Sequence, residues 1–186
     1  MEKIYNKMIS IAEMQTCDIR EHVFTLFGYS LGNNHITEMG VAYVRSTWAF
    51  LAAKPKKLVS IDIEYHPNIE EAKVLAKENN IEFEFLLQST IDPNFEIEQT
   101  DVLFIDTLHT YPQLKQELFQ HSHKVNKYII LHDTTTYGLQ NEYNITSYPQ
   151  GLQAAVLEFI KKDQNWEIVN IYENCNGLAI LKRKTS

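Results

Sequence analysis

A chain of 186 residues, 44% hydrophobic and 22% charged, can build one sizeable core and is too apolar to stay disordered. Its net charge of -7 comes from scattered acids, and its only dense basic groups are Lys54, Lys56, Lys57 and the tail Lys182, Arg183, Lys184. That balance argues against a polyanionic partner, nucleic acid or anionic membrane alike.

No apolar run approaches the roughly 20 residues of a membrane span. The opening MEKIYNKMISIAEMQTC mixes charge into its apolar positions, unlike the uninterrupted apolar stretch of a secretory leader. A cytoplasmic location is the expectation. Cys17 and Cys175 match no metal or redox spacing and read as free thiols in a reducing compartment. The chain reads as a single domain over 1–186, with 1–17 as an N-terminal extension.

In chain order, DIREHVFTLFGYSL carries apolar residues at helical spacing, opens on Asp18 as N-cap and closes before Gly32. HITEMGV is a short strand ending at Glu38 and Gly40. RSTWAFLAAK is a helix stopped by Pro55, and KLVSIDI a buried strand ending in Asp62. PNIEEAKVLAKENN is an amphipathic helix, IEFEFLLQ a strand ending at Gln88, and DVLFID a strand ending in Asp106. PQLKQELFQHSHKV is a helix and KYIILHD a strand ending in His132 and Asp133. GLQAAVLEFIKK then reads as a helix. WEIVNIY and LAILKR, joined by a connection holding Asn176-Gly177, read as an antiparallel hairpin.

Strand and helix alternating in this way predict a doubly wound, Rossmann-like α/β sheet, mostly parallel. In such a sheet the strands end on one edge, and ligands bind outside it where the strand order reverses. Glu38 with Gly40, Asp62, Gln88 with Ser89, Asp106 with His109, and His132 with Asp133 all fall at those ends. A turn or helix-capping role explains any one of them equally well; a carboxylate or amide at all five is what points to a site.

The stretches ITEMGVAYVRSTWAFL, LVSIDI, DVLFIDTLHTY and YIILHDTTT resemble the class I S-adenosylmethionine (SAM)-dependent methyltransferases. The nearest branch is that of sugar and antibiotic O-methyltransferases and cephalosporin-hydroxylase-like proteins. The resemblance runs from about Asp18 to the C-terminus and implies a seven-stranded sheet with an antiparallel last strand. It implies that Glu38 and Gly40 form the first cofactor turn and that Ser46 and Thr47 cap the next helix or face the methionine carboxylate. Asp62 would accept hydrogen bonds from both ribose hydroxyls, and Gln88 and Ser89 would lie near adenine. Asp106 would border the cofactor as well. The family turn Glu-x-Gly-x-x-x-Gly is incomplete, because Val44 stands at the second glycine position. A β-branched residue there is expected either to force φ below zero or to fill space meant for the methionine tail.

Two readings compete for Asp106, His109, His132 and Asp133. In one, Asp106, His132 and Asp133 bind Mg2+ beside an acceptor hydroxyl, and His109 with Asp106 is catalytic, His109 as general base. In the other the same groups only hold turns. Glu21 and His22 are candidates for a lid, weighed against a merely solvated helix face. His121 and His123, two residues apart near a helix end, are discarded as ligands. The polar block TTTYGLQNEYNITSYPQ, with Tyr137 and Tyr143, reads as an acceptor-binding loop or a mobile segment.

The leading expectation is a SAM-dependent O-methyltransferase, Mg2+ assistance included as an option, acting on a small hydroxylated acceptor such as a sugar or nucleotide-sugar. Its partners would be that small molecule and, as an open possibility, a second copy of the chain in a homo-oligomer, with no nucleic acid and no membrane. The alternatives are a methyltransferase-like fold without transferase activity that binds a ligand or partner, which Val44 favours, and a metal-dependent hydroxylase-like enzyme.

Overall fold

The computed structural model describes residues 1–143 and 149–185. Seven strands form: β1 His35–Met39, β2 Lys57–Asp62, β3 Glu82–Leu87, β4 Thr100–Ile105, β5 Val125–His132, β6 Trp166–Tyr172 and β7 Leu178–Arg183. They make one sheet in the order β3-β2-β1-β4-β5-β7-β6. β1 to β5 pair in parallel, while β7 runs antiparallel to both β5 and β6. The sheet is therefore the Rossmann-like, mostly parallel one that the sequence predicts, closed by an antiparallel C-terminal hairpin. The hairpin turn uses three successive left-handed residues, Cys175, Asn176 and Gly177. A Cβ on Gly177 would run into Thr135, so this position is fixed by packing as well as by φ.

Six helices cover the sheet: α1 Glu2–Ala12, α2 Val23–Ser30, α3 Thr47–Ala52, α4 Asn68–Glu78, α5 Tyr111–His121 and α6 Leu152–Lys162. The period-two alternation of a strand decides which side each residue serves. In β4, Val102 and Phe104 join the core under α1 to α4, whereas Leu103 and Ile105 join the one under α5 and α6. Both cores are apolar because a parallel sheet is covered on both faces.

Two local expectations need correction. Residues 2–12, expected to be part of an extension, form α1, which buries Ile4, Met8 and Ile11. Those residues stand four and three apart, on one helical stripe packed beside α3; the interspersed charges occupy only the outer face. The helix expected from Asp18 begins later. A 3-10 turn at Arg20–His22 precedes α2, and Asp18 lies 3.7 Å from Arg45. Asp18 is too far upstream of α2 to reach its first amides.

The order of the strands reverses between β1 and β4. There Gly40 N donates to Ile61 O at 2.9 Å and Asp106 N donates to Met39 O at 2.8 Å, so the backbone continues the ladder just past the strand ends. Among the described residues, no helix is long and apolar enough to cross a membrane.

Candidate functional site

Outside the reversal point the carboxyl edge opens into two adjoining hollows. The larger, about 530 Å3, is lined by Asp62, Gln88, Ser89, Thr107, Glu142 and Tyr143 among others. The smaller, about 200 Å3, is lined by Asp18, Tyr43, Arg45, Ser46, Asp106 and Asp133 among others. Gly40 and His109 border both. Gly40 has φ +83, and a Cβ there would overlap the carbonyl oxygen of Asp106. Only glycine lets the first turn pass that close to the end of β4.

On the β1–β2 side, polar groups are tied to their own chain. Glu38 is fully buried and accepts from Ser46 Oγ at 2.6 Å, Thr47 Oγ1 at 2.8 Å and Ser60 Oγ at 2.5 Å. Burial pushes its carboxyl up to about 7, against the three hydroxyls, which favour the anion, and with some help from the charge of Asp106. Glu38 thus fastens the start of α3 to β1 and β2 and does not line either hollow. Ser46 and Thr47 place no hydroxyl at the helix end, because both hydroxyls face Glu38.

Asp62 accepts from Val41 N at 2.7 Å and Ala42 N at 2.9 Å through Oδ2, and from Glu64 N at 3.0 Å through Oδ1. A carboxylate offers about four lone-pair sites, so one site on Oδ1 stays open toward a ligand, where two ribose contacts were expected. Gln88 and Ser89 line the larger hollow as anticipated for the end of β3, with Gln88 held to Asp92 at 3.1 Å.

Val44 answers the question of the missing glycine. Its φ is +67 and its side chain is fully buried in the apolar core among α1 to α4. Both expected outcomes are overturned: the turn keeps the left-handed conformation, and the valine points away from the hollows. Core packing compensates a backbone strain of about 1–2 kcal/mol.

At the ends of β4 and β5 the ionisable groups meet one another. His109 Nε2 is 2.9 Å from Asp133 Oδ2 and 3.3 Å from Asp106 Oδ1, and its Nδ1 is 3.1 Å from Glu142 Oε2. His132 Nδ1 lies 3.0 Å from Asp133 Oδ2 and 3.3 Å from Asp106 Oδ1, while its Nε2 donates to Cys175 O at 3.2 Å. Burial pulls both imidazoles down, but the facing carboxylates outweigh it and raise His109 to about 10 and His132 to about 11. Asp106 and Asp133, which burial alone would push up, are held below the usual carboxylate range by the same imidazoles. Each ring nitrogen faces an oxygen acceptor, so each ring carries both protons. In the doubly protonated form that this arrangement favours, His109 has no lone pair for the expected general-base role.

The ring of His109 stacks on Tyr137 with centroids 4.8 Å apart and planes 3° from parallel. Glu142 N also donates to His109 O at 3.1 Å. Tyr137 and Glu142, which follow β5, are therefore both held against His109. Asp133, at φ +60, is 3% exposed, and its Oδ1 is buried without a hydrogen-bond partner among the described residues. A buried, ionised oxygen without a partner is costly.

For a metal, the ligand atoms that cluster within 4.8 Å belong to Asp106, His109 and Asp133. His132, expected in that set, is instead buried beneath the carboxylates, with both nitrogens occupied. The donor set does not fit Mg2+. That ion asks for near-octahedral oxygen ligands at about 2.0–2.1 Å, and here one oxygen of each carboxylate is already bonded to two imidazole rings. A nucleoside-bearing cofactor fits better, since the larger hollow lies in the range of about 300–1,000 Å3 usual for small-molecule sites.

The lid candidates separate: Glu21 is exposed, whereas His22 is buried, meets His132 edge-on at 5.7 Å and donates to Asn174 O at 2.9 Å. His121 is buried and donates to Thr90 O at 2.7 Å, and His123 pairs with Glu96 at 2.8 Å, neither near the crevice acids. Tyr143 is exposed at the rim of the larger hollow. The block 134–150 includes residues 144–148, which lie outside the described residues. Glu142, Arg45 and the fully buried Glu117 were not anticipated. Glu117 accepts from Thr107 Oγ1 at 2.8 Å and Thr90 Oγ1 at 2.5 Å, tying together two loops of the larger hollow. Its only signal in the sequence is an acid on the apolar side of α5.

No family model matches the chain, and no curated protein matches it. Solved structures do. A Corynebacterium glutamicum protein superposes with a TM-score of 0.66 at 17% identity over 89% of this chain and 82% of its own. The Burkholderia thailandensis 1,6-didemethyltoxoflavin-N1-methyltransferase, bound to 1,6-didemethyltoxoflavin and S-adenosylhomocysteine (SAH), gives 0.64 at 14% identity over 92% and 80%. An O-methyltransferase from Bacillus cereus in complex with SAH gives 0.60 at 12% identity over 99% and 91%. The chain has the fold of the class I SAM-dependent methyltransferases.

Proposed function

We propose that this protein is a SAM-dependent methyltransferase that transfers the methyl group to a hydroxyl of a small acceptor such as a sugar or nucleotide-sugar. The observation that carries the proposal is the two-lobed crevice at the strand reversal, whose lobes meet at Gly40 and His109. Similar folds that hold SAH support it. When bound, SAM supplies an electrophilic methyl group on a sulfonium sulfur.

The protein's own groups would act as follows. Asp62, Gln88 and Ser89 hold the nucleoside in the larger lobe, Asp62 through its one open lone-pair site. Gly40 keeps the backbone clear between the lobes. Arg45, 4.9 Å above the ring of Tyr43, supplies positive charge to the smaller lobe. Asp133, which lines the smaller lobe, would accept the hydrogen bond of the acceptor's hydroxyl and orient that oxygen. It takes the proton as the new O–C bond forms. A carboxylate of low pKa is adequate at that moment, because the oxygen being alkylated becomes strongly acidic.

Calorimetric titration with SAM and SAH tests the reading. Saturable binding of both is expected, and Asp62→Ala should weaken it by about tenfold or more in protein that remains folded, with some loss of stability because three backbone amides lose their acceptor. Absence of binding by the folded wild-type protein would sink the proposal.

A further inference from the structure

We infer that the side chain of His109 is a built-in cation, occupying the position between the acids of β4 and β5 that a divalent metal would otherwise take, so that the site works without one. The geometry carries the inference. Nε2 stands 2.9 Å from Asp133 and 3.3 Å from Asp106, bridging the two strand ends from the open side, while His132 bridges the same oxygens from below. The second nitrogen of His109 meets a third carboxylate, Glu142, at 3.1 Å. A ring whose two nitrogens both face carboxylates donates from both and is positively charged.

Two rings and three carboxylates leave this cluster one negative charge, little to attract a divalent ion that must also shed water. For a metal to enter between the acids, His109 would have to give up the Nε2 proton that faces Asp133 and Asp106. Each of those contacts opposes the exchange. The stack and the Glu142 contacts also set the ring plane, so the charge is fixed in direction as a bound ion would be. Asp106 and Asp133 are thereby kept ionised, each with one oxygen held by both rings.

The inference is independent of the methyltransferase reading, and its test needs no cofactor. In wild-type protein labelled with 15N at histidine, His109 should show both ring nitrogens protonated at neutral pH. Mn2+ added to the same sample should cause no saturable broadening of residues around Asp106 and Asp133. His109→Ala and the better-tolerated His109→Gln should each raise Mn2+ affinity by about tenfold or more, because the acids then lack their cation. A neutral His109 ring, saturable Mn2+ binding by the wild type at this site, or no gain of affinity in either folded variant would each overturn it. Loss of SAM binding alone would leave it standing.

Discussion

At the ends of β1 and β2 the acids are tied to the protein's own scaffold: Glu38 to three hydroxyls, Asp62 to three backbone amides. At the ends of β4 and β5, Asp106 and Asp133 are tied to ionisable rings instead. Hydroxyls and amides are neutral donors, so they set geometry and leave Glu38 hovering between its two protonation states. Imidazoles are charged partners, so they set charge and hold Asp106 and Asp133 firmly anionic. One half of the sheet's carboxyl edge is thus a rigid cradle and the other a polarised surface, although both are made of acids at strand ends.

Substitutions can break that contrast. The largest effect is expected at the seam, where Gly40→Ala forces a Cβ onto the carbonyl of Asp106 at a left-handed φ. A loss of about 3 kcal/mol or more should appear in denaturant unfolding, together with loss of SAH binding.

Glu38 offers a test by pH. Its folded pKa of about 7 exceeds the unfolded value of 4.5, so the native state keeps a proton that the unfolded chain releases. The stability it contributes is full below pH 4.5 and falls as pH rises through about 7, by on the order of 3 kcal/mol. Glu38→Gln should lack this fall, so the wild-type-minus-variant curve should carry it across the window, whereas the contributions of His109 and His132, whose values are raised from 6.5, are present in both proteins and cancel. A difference curve that stays flat would show that the cradle does not hold its acid as described.

Val44 sets a smaller test. Val44→Gly removes buried methyls but also relieves a left-handed β-branched residue, so it should cost about 1–2 kcal/mol less than Val102→Gly in β4, where no strain is released. Equal midpoint shifts would mean that the turn carries no strain. The smallest effect belongs to Glu142→Ala. That pair lies at the partly exposed rim, and its loss should lower stability by under about 1 kcal/mol without changing the denaturant slope.

Much of the fold was legible along the chain, because buried parallel strands are continuous apolar runs and amphipathic helices have their own period. DVLFID and KYIILHD could be placed as strands on that ground alone, and Asn176-Gly177 announced the hairpin. The first helix was not read, since charges on its outer face masked the buried stripe of Ile4, Met8 and Ile11. At the site, the strand ends gave the positions of the polar groups and not their partners. Glu38 and Asp62 look alike in sequence, yet one is buried among hydroxyls and the other holds a turn.

The sequence by itself determined the order of strands and helices, the apolar faces and the edge on which the charged residues gather, because each follows from local periodicity and turn chemistry. Only the tertiary structure decided that Val44 bends into the core and away from the crevice, that His109 lies between two acids, and that Glu142 closes on it from 33 residues away. Those are through-space relations, in which burial and a facing charge fix a side chain's protonation and direction, and no local stretch of residues encodes them.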